Sequence, residues 1–210
     1  MQNPLKGDLN FRAAEHSKLY RRYTGIGDLR SISATSTKDV EVVSGLPQKI
    51  YYPNARRRNL DQSIAEIAEK SNLVVIATVS EQKSFLTAEG TFVFTDYSMT
   101  VDQVIKNNLP RPISVSSQLI VTRPGGTIRL NGHVVHAVDE SLDPFQLGKR
   151  YLLFLEYISR TGGYEAFAAD GAFLVDHNRT VKLTKEKLPS ELEDGVDLAV
   201  LVQKVLARSN

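Results

Sequence analysis

The chain of 210 residues has no cysteine and no tryptophan. The first absence removes disulfide stapling, thiol catalysis and thiolate metal sites. It does not choose a compartment, because a disulfide-free chain is at home in the cytoplasm and can also be exported. No apolar run is long enough to cross a bilayer, and the opening residues are polar rather than signal-like. There is no internal repeat and no low-complexity tract. Neither a G-x-S-x-G elbow nor a G-x-x-x-x-G-K-[ST] phosphate loop occurs. Gly125-Gly126 and Gly162-Gly163 lack the strand–loop–helix setting that aims amides at phosphate, so both read as turns.

What is present is an ordinary supply of core material. Hydrophobic residues make up 41% and charged residues 24%. That suits one domain of about 130–150 residues with long attachments, or two small ones. The net charge of +2 is unevenly spread. Residues 1–60 hold 11 Lys/Arg against 5 Asp/Glu, and the remainder holds 15 against 19. The basic character therefore belongs to an N-terminal arm, either laid across an acidic surface or simply solvated.

Residues 1–59 carry no long periodic element and read as a largely irregular basic arm. It has a short helix near Phe11–Arg22, a short strand at Val40–Val43 and an apolar patch at Ile50–Pro53. Leu60–Ser71 is the first clear helix, with Leu60, Ile64, Ile67 and Ala68 on one face and Asn59 or Asp61 to cap it. Leu73–Val79 follows as a strand covered on both faces, or strongly curved. Glu81–Gly90 is polar enough for a solvent-facing turn. In the β-rich run Thr91–Ile105 the apolar set changes parity near Thr95-Asp96. Either a β-bulge there returns all of it to one core, or Phe92 and Phe94 cover a second face.

Ile113–Arg123 and Thr127–His136 read as a hairpin about Pro124-Gly125-Gly126, with Asn131-Gly132 a bulge or turn. Val138–Phe145 is an acidic loop, Tyr151–Leu155 a central strand, and Asp170-Gly171 a second hairpin turn between Tyr164–Ala169 and Ala172–Val175. Val181–Leu183 is a short closing strand. Val196–Leu206 is a helix with Leu198, Leu201, Val202 and Val205 on one side; it needs a surface to cover, within the chain or on a second copy.

The segments LVVIATVSEQKSFL, TFVFTDYSMTVDQVIKNN, LGKRYLLFLEY and YEAFAADGAFLVD together resemble the netrin-module and metalloproteinase-inhibitor-like group of OB-type barrels, including its uncharacterised bacterial relatives. The resemblance spans roughly Leu73–Leu183. It implies a mainly β fold: a small closed or partly open antiparallel OB-like barrel, with a preceding helix and a C-terminal helix. Residues 1–59 are then the arm, 60–183 the barrel with its leading helix, and 184–210 a linker and helix. It also implies an extracellular or envelope-associated binding module. The animal inhibitors reach their target's zinc through an N-terminal cysteine in a disulfide-anchored segment. This chain has neither, so that mechanism and its residues do not carry over.

The candidate surfaces are few. Arg56-Arg57-Arg58, with Arg21, Arg22, Tyr51 and Tyr52, combine phosphate-contacting charge with stacking rings. The acidic loop, through Asp139, Glu140 and Asp143, is expected at the surface. Of the four histidines, His133 and His136 stand i, i+3 on a strand and so point to opposite faces, leaving at most a weak site of His136 with Asp139 or Glu140. Glu165 with Asp170 or Asp176 is the nearest approach to a carboxylate pair. The expectation is a non-enzymatic protein-binding or envelope accessory module, with a protein partner, no cofactor and no metal. The alternatives are a single-stranded nucleic-acid binder using arm and barrel, and a hydrolase whose site has no recognisable pattern.

Overall fold

A computed structural model of the chain describes residues 9–20, 28–31, 40–44, 60–139, 143–166, 171–183 and 195–208. Among the described residues three α-helices, α1 (Leu9–Leu19), α2 (Leu60–Lys70) and α3 (Leu198–Arg208), accompany eleven strands. These are β1 (Val40–Ser44), β2 (Leu73–Leu86), β3 (Val93–Asn107), β4 (Gln118–Pro124), β5 (Gly126–Leu130), β6 (His133–Asp139), β7 (Arg150–Ile158), β8 (Gly163–Ala166), β9 (Ala172–Asp176), β10 (Arg179–Lys182) and β11 (Val196–Asp197).

The strand reading of Leu73–Val79 holds and extends. The polar continuation Glu81–Leu86 stays in β2 and pairs with Val93–Ser98 of β3 rather than turning away. Alternation explains why both faces of β2 and β7 are apolar. Leu73, Val75, Ala77, Tyr151, Leu153 and Leu155 enter one core, whereas Val74, Ile76, Leu152 and Phe154 enter another under α2 and α3. The helices supply Ile64, Ile67, Ala68, Leu201 and Val205 to that second core. Asp197 caps α3, its carboxylate accepting the Ala199 amide at 2.8 Å.

β3 shows which alternative the parity change means. Its pairing with β2 is regular through Thr95 and Asp96. Phe92 and Phe94 instead cover a third core with Tyr20, Val135 and Ala137, while Tyr97, Met99 and Val101 face the first. The register shifts lie further along, with Ser80 the extra residue on β2, and Asp102 and Ile105 on β3. Such bulges bend and twist the strand pair.

The small antiparallel OB-like barrel expected from the resemblance is corrected. Eight strands make one mixed sheet, ordered β11-β10-β9-β7-β2-β3-β4-β8, and β1-β6-β5 make a second. The large sheet curls far enough for β8 to bond both β4, in parallel, and the last part of β7. It nevertheless runs on past β7 through β9 and β10 to β11, which among the described residues pairs with β10 and not with β8. The second sheet is mixed too, since β1 runs parallel to β6.

Two expected hairpins are corrected with it. β4 pairs with β3 and β8, and β5 with β6, so Gly125-Gly126 is a corner between sheets. The hairpin turns instead at Asn131-Gly132, whose φ angles of 51° and 88° suit a type I′ turn. β8 and β9 lie against successive parts of β7 rather than against each other. The turn after β9 falls at His177-Asn178, both at positive φ.

Candidate interaction surface

Three places concentrate chemistry, two inside the molecule and one on it. The first lies under α1. His16 and Ser17 on its buried side, and Tyr20 just past its end, fasten it to the sheets. His16 Nδ1 stands 2.9 and 3.1 Å from the Asp96 carboxylate oxygens. Tyr20 stacks on Phe94 at 5.3 Å between ring centres and donates its hydroxyl to Thr122 Oγ1 at 3.0 Å. Ser17 Oγ accepts the Ala88 amide and donates to Glu89. A histidine–carboxylate pair is the raw material of acid–base catalysis. Here, however, the imidazole is fully buried, and its Nε2, without a hydrogen-bond partner among the described residues, faces the backbone at Gly163. A substrate has no room to meet it; the pair is a fastening.

The second place is the Arg123 end of the first core. The Arg123 guanidinium lies 4.3 Å from the centre of the Phe145 ring and is almost wholly buried. Burial pulls its pKa down, and the neighbouring Tyr97 and Asp139 act against that. Burial likewise pushes the Tyr97 and Tyr151 phenols up, and that of Tyr164 from 10.0 to about 12. Tyr151 also accepts the Gln146 amide at 2.8 Å. A guanidinium taken out of water needs compensation from its surroundings; the Phe145 ring face supplies it at contact distance, and the negative charge of Asp139 acts from further off. Asp139 was expected on an exposed acidic loop; it closes β6 pointing inward, and Phe145 is buried as well.

Of the other residues singled out in the sequence, Arg21, Arg22, Tyr51, Tyr52, Arg56, Arg57, Arg58 and Glu140 lie outside the described residues, as do Asn59 and Asp170. Asp143 is exposed, and its amide donates to the Leu183 carbonyl. His133 and His136 do face opposite ways: His133 is buried, whereas His136 is exposed and meets Thr127 Oγ1 at 2.9 Å. His136 therefore points away from Asp139 across β6, and among the described residues no three His, Asp or Glu side chains are grouped to hold a metal ion. Asp176 bonds its neighbour His177, on a turn remote in the pairing scheme from Glu165.

The third place is on α3. Large apolar side chains exposed among the described residues include Val115, Leu147, Tyr157, Val200 and Leu206. Val200 (46% exposed) and Leu206 (39%) share this one helix, and its inner side is already committed to the second core. Around them Ala199, Gln203, Lys204 and Ala207 line a shallow, mostly apolar depression. The sequence reading marked the inner face through Leu198, Leu201, Val202 and Val205. It passed over the outer one, although an apolar pair at positions 200 and 206 of the same helix was its signal. No helix among the described residues is long and apolar enough to cross a membrane. The chain matches no protein-family model and no curated protein.

Proposed function

We propose that the chain is a non-enzymatic protein-binding module that takes its partner on the outer face of α3. One observation carries this: α3 is apolar on both sides, with Leu201 and Val205 buried inward and Val200 and Leu206 exposed outward. Large apolar side chains left exposed on a helix whose inner side is already packed mark a place for a second surface, and the sheet covers only the inner side. Covering Val200 and Leu206 is worth about 1–2 kcal/mol each, enough to anchor a contact whose remaining residues supply shape. The interior polar groups work differently. The His16–Asp96 pair and the Arg123–Phe145 contact are sealed and hold elements together.

The test is capture with the tagged full chain, identification of what is captured, and re-measurement of binding with purified components. The double variant V200D/L206D, altered only at exposed positions, keeps its circular dichroism and loses the partner. A partner held equally well by the double variant would contradict the proposal.

A further inference from the structure

We infer that the occupant of this face is a second copy of the same chain, packed α3 against α3, antiparallel, about a twofold axis at Gln203. The inference rests on the docking face proposed above and names its partner. It comes from the arrangement of sizes on the helix. Ala199, Gln203 and Ala207 follow one another at four-residue intervals and are all exposed, so they form a low ridge along the outer surface. Val200 and Leu206 stand three residues before and after Gln203, on opposite flanks of that ridge.

Turn a second helix over this one so that the two Gln203 residues meet. Val200 then falls over the partner's Ala207, and Leu206 over the partner's Ala199. Each large side chain finds a small one, and the symmetry makes every such contact twice. A surface that complements itself in this way is what an isologous interface requires. The centre is self-complementary as well. An amide both donates and accepts, so Gln203 can exchange two hydrogen bonds with its own copy, which a lysine or a glutamate at that position could not do. The alanines let the axes approach closely, and the antiparallel direction sets the helix dipoles head to tail. Lys204 lies at the edge of the depression. Two helices of 11 residues make a contact below the usual size of a stable interface. The dimer is therefore weak and concentration-dependent.

The absence of cysteine makes the geometry testable by disulfide trapping, because any introduced thiol is the only one in the chain. Sedimentation of the wild type shows a monomer–dimer equilibrium, which V200D/L206D weakens about tenfold or more. Under mild oxidation Q203C links to itself. A199C and A207C link when mixed, much faster than either does alone, since the antiparallel arrangement brings position 199 to 207 and separates each from its own copy. Self-linking of A199C as fast as the mixture would overturn the arrangement, and a dimer indifferent to V200D/L206D would place the contact elsewhere. A wild type that stays monomeric at high concentration, while V200D/L206D still abolishes capture of another protein, would overturn the second-copy inference and leave the docking face standing. Loss of both effects would overturn the two together.

Discussion

At the scale of single residues, the molecule depends on polar groups buried where the sequence gives little warning. Tyr20 is one. Its ring lies on Phe94 and its hydroxyl bonds Thr122, so Tyr20→Phe is expected to cost about 1 kcal/mol and Tyr20→Ala about 3–5 kcal/mol in urea unfolding. A Tyr20→Phe variant as stable as the wild type would mean that the hydroxyl contributes nothing, and equal losses in the two variants would mean that the ring does not. Arg123 is another: truncation to alanine removes a buried cation from the face of the Phe145 ring and is expected to cost about 2 kcal/mol, while leaving the outer face of α3 untouched. The buried phenols add a pH dependence. A group with a folded pKa above its unfolded value contributes stability that is whole below the unfolded value and is lost as pH rises. For Tyr164 that window runs from 10.0 to about 12, and Tyr97 and Tyr151 shift the same way. Unfolding in an alkaline titration should therefore begin above pH 10 and coincide with the appearance of tyrosinate absorbance. Ionisation of every tyrosine at the ordinary value in a chain that stays folded would refute this.

At the scale of elements, legibility followed how local the cause was. α2, the inner face of α3, and the two-faced strands β2 and β7 were readable, because periodicity is written into consecutive residues. The corner at Gly125-Gly126 was not, because a tight glycine pair looks the same whether the strands beside it pair with each other or with strands elsewhere. What distinguishes it is tertiary: Gly126 has φ 143°, and a Cβ there would collide with Thr95 Oγ1 and Ser84 Oγ. Gly126→Ala is expected to destabilise by about 1–3 kcal/mol, whereas Gly162→Ala, equally at positive φ but in open space, should cost less. Lys106 is a similar case. At the end of β3 a lone lysine gives no sign of a partner in the sequence; in the fold it is buried beneath the end of α2, donating to the carbonyls of Ala68, Glu69 and Ser71. It thus satisfies the acceptors that a helix end leaves open. Lys106→Met should lower the unfolding midpoint and speed amide exchange in α2 more than in β2, and uniform exchange in the two would argue against a capping role.

At the scale of the whole molecule, the curled sheet has its first core on the concave side, α2 and α3 over a second, and α1 with the three-stranded sheet over a third. The candidate site was the least legible part. The sequence directed attention to charge, in the arginine runs and the acidic loop, and Asp139 of that loop proved to be interior. The outer face of α3 carries no charge pattern at all; it shows itself only once the inner face is known to be occupied. The most direct measurement is hydroxyl-radical footprinting of the full chain in dilute and in concentrated solution. Val200 and Leu206 should lose reactivity together as concentration rises, with Val115 and Leu147, exposed elsewhere, unchanged. Protection of Val115 or Leu147 instead, or reactivity at Val200 and Leu206 that concentration does not alter, would contradict self-association through α3.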